Sequence, residues 1–133
     1  MKSVKTIFVM LALTLAVVSC EKDKHVPPNV SLQSGAGYIS SDATVAQDTT
    51  LTVGFVAEKT EDELKTFNVS HAYDGATTTT SDTTIALTSA EADHYEYNYS
   101  LTTRNQAGTE KWIFTITDRD GNIAQKAITL TVQ

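Results

Sequence analysis

From Asn29 onward, apolar side chains recur at every second position, and this period constrains the fold more than any other feature of the chain. Leu51, Val53, Phe55 and Ala57 alternate with Thr50, Thr52, Gly54 and Val56, and Phe67, Val69, His71 and Tyr73 repeat the pattern ahead of an Asp74-Gly75 turn signal. A period of two sends alternate side chains to opposite faces of an extended strand, so each segment can bury one face and wet the other. Shorter and longer runs follow: Thr83, Ile85 and Leu87; Tyr95, Tyr97, Tyr99 and Leu101; Trp112, Phe114 and Ile116; and finally Ile128, Leu130 and Val132. With Val30 to Gln33 at the start, the chain carries about seven strands separated by turn signals, the spacing of an antiparallel sandwich. The 20 threonines that follow residue 19 suit this, because a β-branched side chain packs well on a pleated surface. Thr60 to Leu64 is the one hint of helix, worth a single turn, since no amphipathic face follows it. The Thr77 to Thr80 tract is too polar for a core and reads as an exposed edge strand or loop.

The first residues have a different character. Lys2 and Lys5 precede an uncharged run from Ile7 to Val18, broken only by Thr14 and too short to cross roughly 30 Å of hydrocarbon as a helix. This layout is that of a signal peptide. Its end, Val17-Val18-Ser19-Cys20, resembles the lipobox of bacterial lipoproteins. The resemblance implies that residues 1–19 are removed, that the Cys20 thiol receives a diacylglycerol, and that the new amine is acylated. Several acyl chains at about 0.8 kcal/mol per buried methylene hold far more firmly than one. An ordinary signal peptide is the competing reading. The position of the chain's only cysteine favours lipidation, and a lone cysteine rules out an intramolecular disulfide.

Residues 20–28 then form a polar, proline-bearing tether ahead of a domain spanning 29–133. Glu21-Lys22-Asp23-Lys24 is similar to the charged export signal of surface lipoproteins of Bacteroidota, with Lys24 where a second acid is expected. An outer-membrane lipid anchor is therefore expected, facing either the cell surface or the periplasm. The mature chain keeps all 16 acidic side chains but loses Lys2 and Lys5 from the 10 basic ones, leaving a balance of 8 against 16. Such an excess argues against nucleic acid as a partner, since phosphate binding needs a basic patch and none is visible in the sequence. The mature length is that of one domain, large enough to bury roughly two-thirds of its unfolded surface, and no cofactor is called for.

A second resemblance covers about Pro27 to Gln133. Ser34-Gly35-Ala36-Gly37-Tyr38, Ala107-Gly108-Thr109-Glu110-Lys111-Trp112, Thr115-Ile116-Thr117-Asp118-Arg119-Asp120-Gly121 and Ile128-Thr129-Leu130-Thr131-Val132 resemble the Ig-like, PKD-like domains of small Bacteroidota lipoproteins. The fold this implies is an all-β, antiparallel Ig-like sandwich, its last two segments forming a terminal hairpin. Two antibody hallmarks are missing: there is no cysteine pair, and the tryptophan sits in the penultimate strand.

Several residues are candidates for chemistry. Asp118, Asp120 and Asn122 could supply oxygen ligands to a hard cation from one tight loop. The same residues stabilise a hairpin turn, which is the reading their spacing favours. Tyr95, Tyr97 and Tyr99 share parity with Leu101 and so are assigned to the core, whereas Tyr38 and Tyr73 lie near turns and are the candidate ligand-binding aromatics. Asp48-Thr49-Thr50 and Asp82-Thr83-Thr84 are similar to the O-glycosylation sequence of Bacteroidota, which would make Thr49 and Thr83 acceptors. His25, His71 and His94 have no metal-ligand spacing, no nucleophile elbow is present, and the Glu61-Asp62-Glu63 and Glu91-Ala92-Asp93 runs read as solvated turns.

The expectation is a membrane-anchored, non-enzymatic binding or adhesion module whose ligand is a glycan or a protein. The alternative is a structural or accessory component of an envelope assembly. A binding module would show a cluster of exposed apolar or aromatic residues, and an accessory component an evenly polar, threonine-rich surface.

Overall fold

A computed structural model describes residues 24–133, so the signal peptide expected over 1–19, Cys20 and the first residues of the expected tether lie outside the described residues. Eight strands follow in order: β1 (Asn29–Leu32), β2 (Ala43–Val45), β3 (Thr50–Glu58), β4 (Leu64–Tyr73), β5 (Thr80–Ala86), β6 (His94–Thr102), β7 (Gly108–Asp118) and β8 (Ile123–Val132). They build two sheets, one in the order β1-β3-β6 and the other β2-β8-β7-β4-β5. Consecutive strands are thus divided between sheets in the immunoglobulin manner, with the third and sixth on one face and the fourth, seventh and eighth on the other. The domain is an Ig-like β-sandwich.

Two details differ from the sequence reading. The strand count rises from about seven to eight because Ala43–Val45 pairs with β8, Ala43 lying opposite Leu130 and Val45 opposite Val132. This pairing is parallel, so the larger sheet is mixed where an antiparallel one was expected. A strand of three residues shows no periodicity of its own, and its pairing is set by β8 rather than by local pattern. The helical hint is also absent: 60–63 is bends and coil, and β4 begins at Leu64. The acidic residues there serve a loop and cover no apolar stripe.

The core forms where the alternation placed it. Val53, Phe55 and Ala57 from β3 meet Phe67 and Val69 from β4, and Phe114 and Ile116 from β7, all fully buried. Phe55 packs 4.8 Å from Phe67 and 6.3 Å from Phe114, ring centre to ring centre. Burying such a side chain stabilises by about 1.5–3 kcal/mol. Tyr95 and Leu101 of β6 are buried and Tyr97 and Tyr99 half-buried against the same core, in agreement with their assigned face.

The two ends of the sandwich are distinct. Residues 24–28 and the connections 59–63, 87–93 and 119–122 gather at one, called here the tether end, where Lys59 N–H donates to Asp93 O at 3.0 Å and Arg119 N–H to Glu63 O at 2.8 Å. Connections 46–49, 74–79 and 103–107 and the C-terminal Gln133 gather at the far end, where Thr103 N–H donates to Thr49 O at 3.0 Å and Gln133 N–H to Val45 O at 3.0 Å.

Candidate functional site

The β4/β7 register carries an inner-face row from apolar to polar. Phe67 faces Ile116, Val69 faces Phe114, His71 faces Trp112 and Tyr73 faces Glu110. The row ends at the far end in a charged, aromatic cluster. Glu110 is fully buried there. Its Oε1 accepts the Arg104 backbone N–H at 2.8 Å and Arg104 Nε at 3.2 Å, and its Oε2 accepts the Trp112 indole N–H at 3.2 Å. A carboxylate taken out of water survives only with such partners.

Arg104 uses its remaining donors on Asp74. Nη1 donates to Asp74 Oδ2 at 3.0 Å and Nη2 to Asp74 Oδ1 at 3.2 Å, a two-point clamp, while Nη2 also reaches the Thr109 carbonyl at 3.3 Å. Thr109 N–H donates to Asp74 Oδ1 at 2.9 Å. The Arg104 hydrogen bonds, followed by the Thr109 amide, hold the Asp74 carboxyl below its ordinary range. Asp74 adopts φ 53° at the start of its turn, a left-handed conformation aspartate tolerates, and Gly75 continues it at φ 77°.

Aromatic groups complete the cluster. The Arg104 guanidinium lies 4.0 Å from the Tyr73 ring centre, and the His71 ring stacks 4.2 Å from Tyr73 on its other contact. Burial, then the nearby Glu110 charge, raises the Tyr73 hydroxyl pKa above its usual value. His71 Nδ1 also meets Asp82 Oδ2 at 2.5 Å, tying β4 to the edge strand β5. Tyr99 packs 5.8 Å from Trp112, and its pKa is raised chiefly by burial.

Of the residues singled out in the sequence, Tyr73 belongs to this cluster, half-buried and engaged by His71 and Arg104. Tyr38 is half-buried in the β1–β2 connection, its N–H donating to Gly35 O at 3.2 Å. Thr49 sits half-buried at the far end, its N–H donating to Thr103 Oγ1 at 2.9 Å. Thr83 is half-buried on β5, and its side chain partly offsets the burial that raises the Tyr99 pKa. Cys20 lies outside the described residues.

The Asp118 loop is a self-contained hairpin turn. Asp118 is buried and accepts Asn122 N–H at 2.8 Å and Asn122 Nδ2 at 2.9 Å, one bond on each carboxylate oxygen, which closes the turn. Among the described residues, no group of three or more His, Cys, Asp or Glu side chains converges as a metal site. His94 stands exposed between Glu96, 3.0 Å from Nε2, and Glu58, 3.2 Å from Nδ1, and the Glu96 bond leads in raising its pKa.

Arg104, Asp74, Glu110, His71 and Asp82 were not singled out in the sequence as members of one site. Glu110 carried a signal nonetheless: it shares parity with Trp112, Phe114 and Ile116, and an acid on a core face must find a buried partner.

No protein-family model matches the chain, and no curated protein is similar to it. Among solved structures, the chain is similar to murine CRIg with a TM-score of 0.45 and 9% identity, over 79% of this chain and 98% of that one. A likeness at that level carries no argument about function, and the Ig-like architecture rests on the strand order itself.

Proposed function

We propose that this chain is a lipid-anchored, extracytoplasmic, non-enzymatic Ig-like module of a bacterial envelope, of the kind found in small Bacteroidota lipoproteins, and that it acts as a binding or adhesion module for a glycan or a protein. Lipid on Cys20 would hold it in the outer membrane. The observation that carries the reading is the far-end cluster. Arg104 joins the 103–107 and 74–79 connections through Asp74, and Thr103 Oγ1 joins the 46–49 turn by donating to Ala46 O at 2.9 Å. Three loops fixed to one another form a preorganised surface, which lowers the ordering cost of binding a partner. The charged groups of the cluster are consumed by that bracing, which supports recognition over catalysis.

A second reading, a structural or accessory envelope component, is favoured by one observation. Among the described residues the exposed large hydrophobic side chains are Val26 and Ile123, and the surface is otherwise polar and rich in threonine. Protease shaving of intact cells separates the two. An adhesion module is cut from whole cells, whereas an accessory component on the periplasmic face is cut only after the outer membrane is opened.

A further inference from the structure

The described part of the tether is fixed to one end of the sandwich. Thr60 Oγ1 donates to Val26 O at 2.8 Å and is 3.2 Å from Pro27 O, Pro28 is buried, and Lys24 Nζ lies 3.9 Å from Glu61 Oε1. Cys20 is four residues before Lys24. Four peptide steps reach at most about 14 Å. A lipid on Cys20 therefore keeps the tether end within that distance of the bilayer surface, while the 10-residue strand β4 carries the far end about 33 Å away.

A second, independent feature marks the same end. Both exposed large hydrophobics of the described residues are there, Val26 in the tether and Ile123 at the first position of β8. Three basic groups of this end are already paired: Lys24 with Glu61, Lys59 with Asp93 at 2.5 Å, and Arg119 with Asp62 at 3.6 Å and Glu63 at 3.5 Å. Attraction to anionic headgroups is thereby weakened, and apolar contact is what the end has to offer a lipid surface.

We infer that the domain stands on its tether end, with Val26 and Ile123 turned toward the lipid headgroups and the loops 46–49, 74–79 and 103–107 presented outward. The 59–63 and 119–122 loops, which occupy the position of two antigen-binding loops in an antibody domain, are then the membrane-facing ones. The inference rests on lipidation of Cys20.

The test uses the lipidated full-length protein, purified from membranes, with one further cysteine introduced at Ile123→Cys or Thr78→Cys and labelled with an environment-sensitive fluorophore. Each is placed in vesicles of phosphatidylethanolamine and phosphatidylglycerol carrying a nitroxide at headgroup level, and intact mass is recorded on the same sample. Strong quenching at position 123 with none above background at position 78 is expected. Lipidated protein with equal quenching at both positions, or with none at either, overturns the orientation and leaves the anchor standing. Protein whose mass lacks the lipid overturns the anchor and the orientation together.

Discussion

Glu110 and Arg104 meet through a single oxygen: Glu110 Oε1 accepts both the backbone N–H of Arg104 at 2.8 Å and its Nε at 3.2 Å. The carboxylate is fully buried, whereas the guanidinium retains 21% side-chain exposure and continues to Asp74 at the surface. Charge thus runs from the inner face of β7 to the rim of the far end, and the β6–β7 connection is closed over it.

Arg104→Ala removes the Nε bond and the Asp74 clamp together while Glu110 stays buried. The loss is about 2 kcal/mol, since a hydrogen bond to a buried charge contributes about 1.5–3 kcal/mol. Thermal unfolding should show Tm lower by roughly 10 °C. In the double variant Arg104→Met with Glu110→Leu, the uncompensated charge is gone and the loss should shrink. An equal or larger loss in the double variant would contradict the role given to the pair.

Gly108 has φ 154°, and a Cβ there would stand 2.2 Å from Asp74 Oδ1. Gly108→Ala therefore strains the backbone and expels the Asp74 carboxylate from the Thr109 amide. The strain costs about 1–2 kcal/mol. Hydrogen exchange at the Thr109 amide should accelerate in the variant, and unchanged protection would count against the Asp74 contact.

The tyrosine row offers a direct check of burial against display. Tyr97 lies 5.4 Å from Phe67 and 6.1 Å from Tyr95, half-buried against the core. Tyr97→Ala should cost about 2 kcal/mol, less than a fully buried aromatic because part of the ring is already wet. A melting temperature unchanged from wild type would instead make the row a display surface.

Alkali tests the same row by charge. Burial, followed by the negative charges of Glu91 and Tyr97, pushes the Tyr95 hydroxyl from 10.0 up to about 12. The folded value lies above the unfolded one, so the stability it reflects is intact below pH 10 and is lost as pH rises from 10 toward about 12. The denaturant midpoint should fall across that window, with tyrosinate absorbance rising as the protein unfolds. Tyr95→Phe should flatten the fall, and a slope equal to wild type would show that Tyr95 does not drive it.

The strands were legible because burial on one face imposes a period of two, and Leu51 to Ala57, Phe67 to Tyr73 and Tyr95 to Leu101 all took the face their parity assigned. Ala43–Val45 was not, because three residues have no period and its parallel partner lies 87 positions along the chain. The far-end cluster was illegible for a related reason. Asp74 reads locally as a turn residue and no local pattern singles out Arg104, and only the β4/β7 register brings Tyr73 opposite Glu110 and so beneath Arg104. Asp118 and Asn122 were read both as ligands and as a turn, and their mutual hydrogen bonds make the turn.

The central claim is that a lipid on Cys20 carries this domain, and the intact mass of protein extracted from the membrane fraction tests it most directly. The account predicts that wild type lacks residues 1–19 and carries the added mass of a diacylglyceryl group and an acyl chain, and that Cys20→Ala carries neither and leaves the membrane fraction. Wild-type protein recovered soluble and without lipid would contradict it.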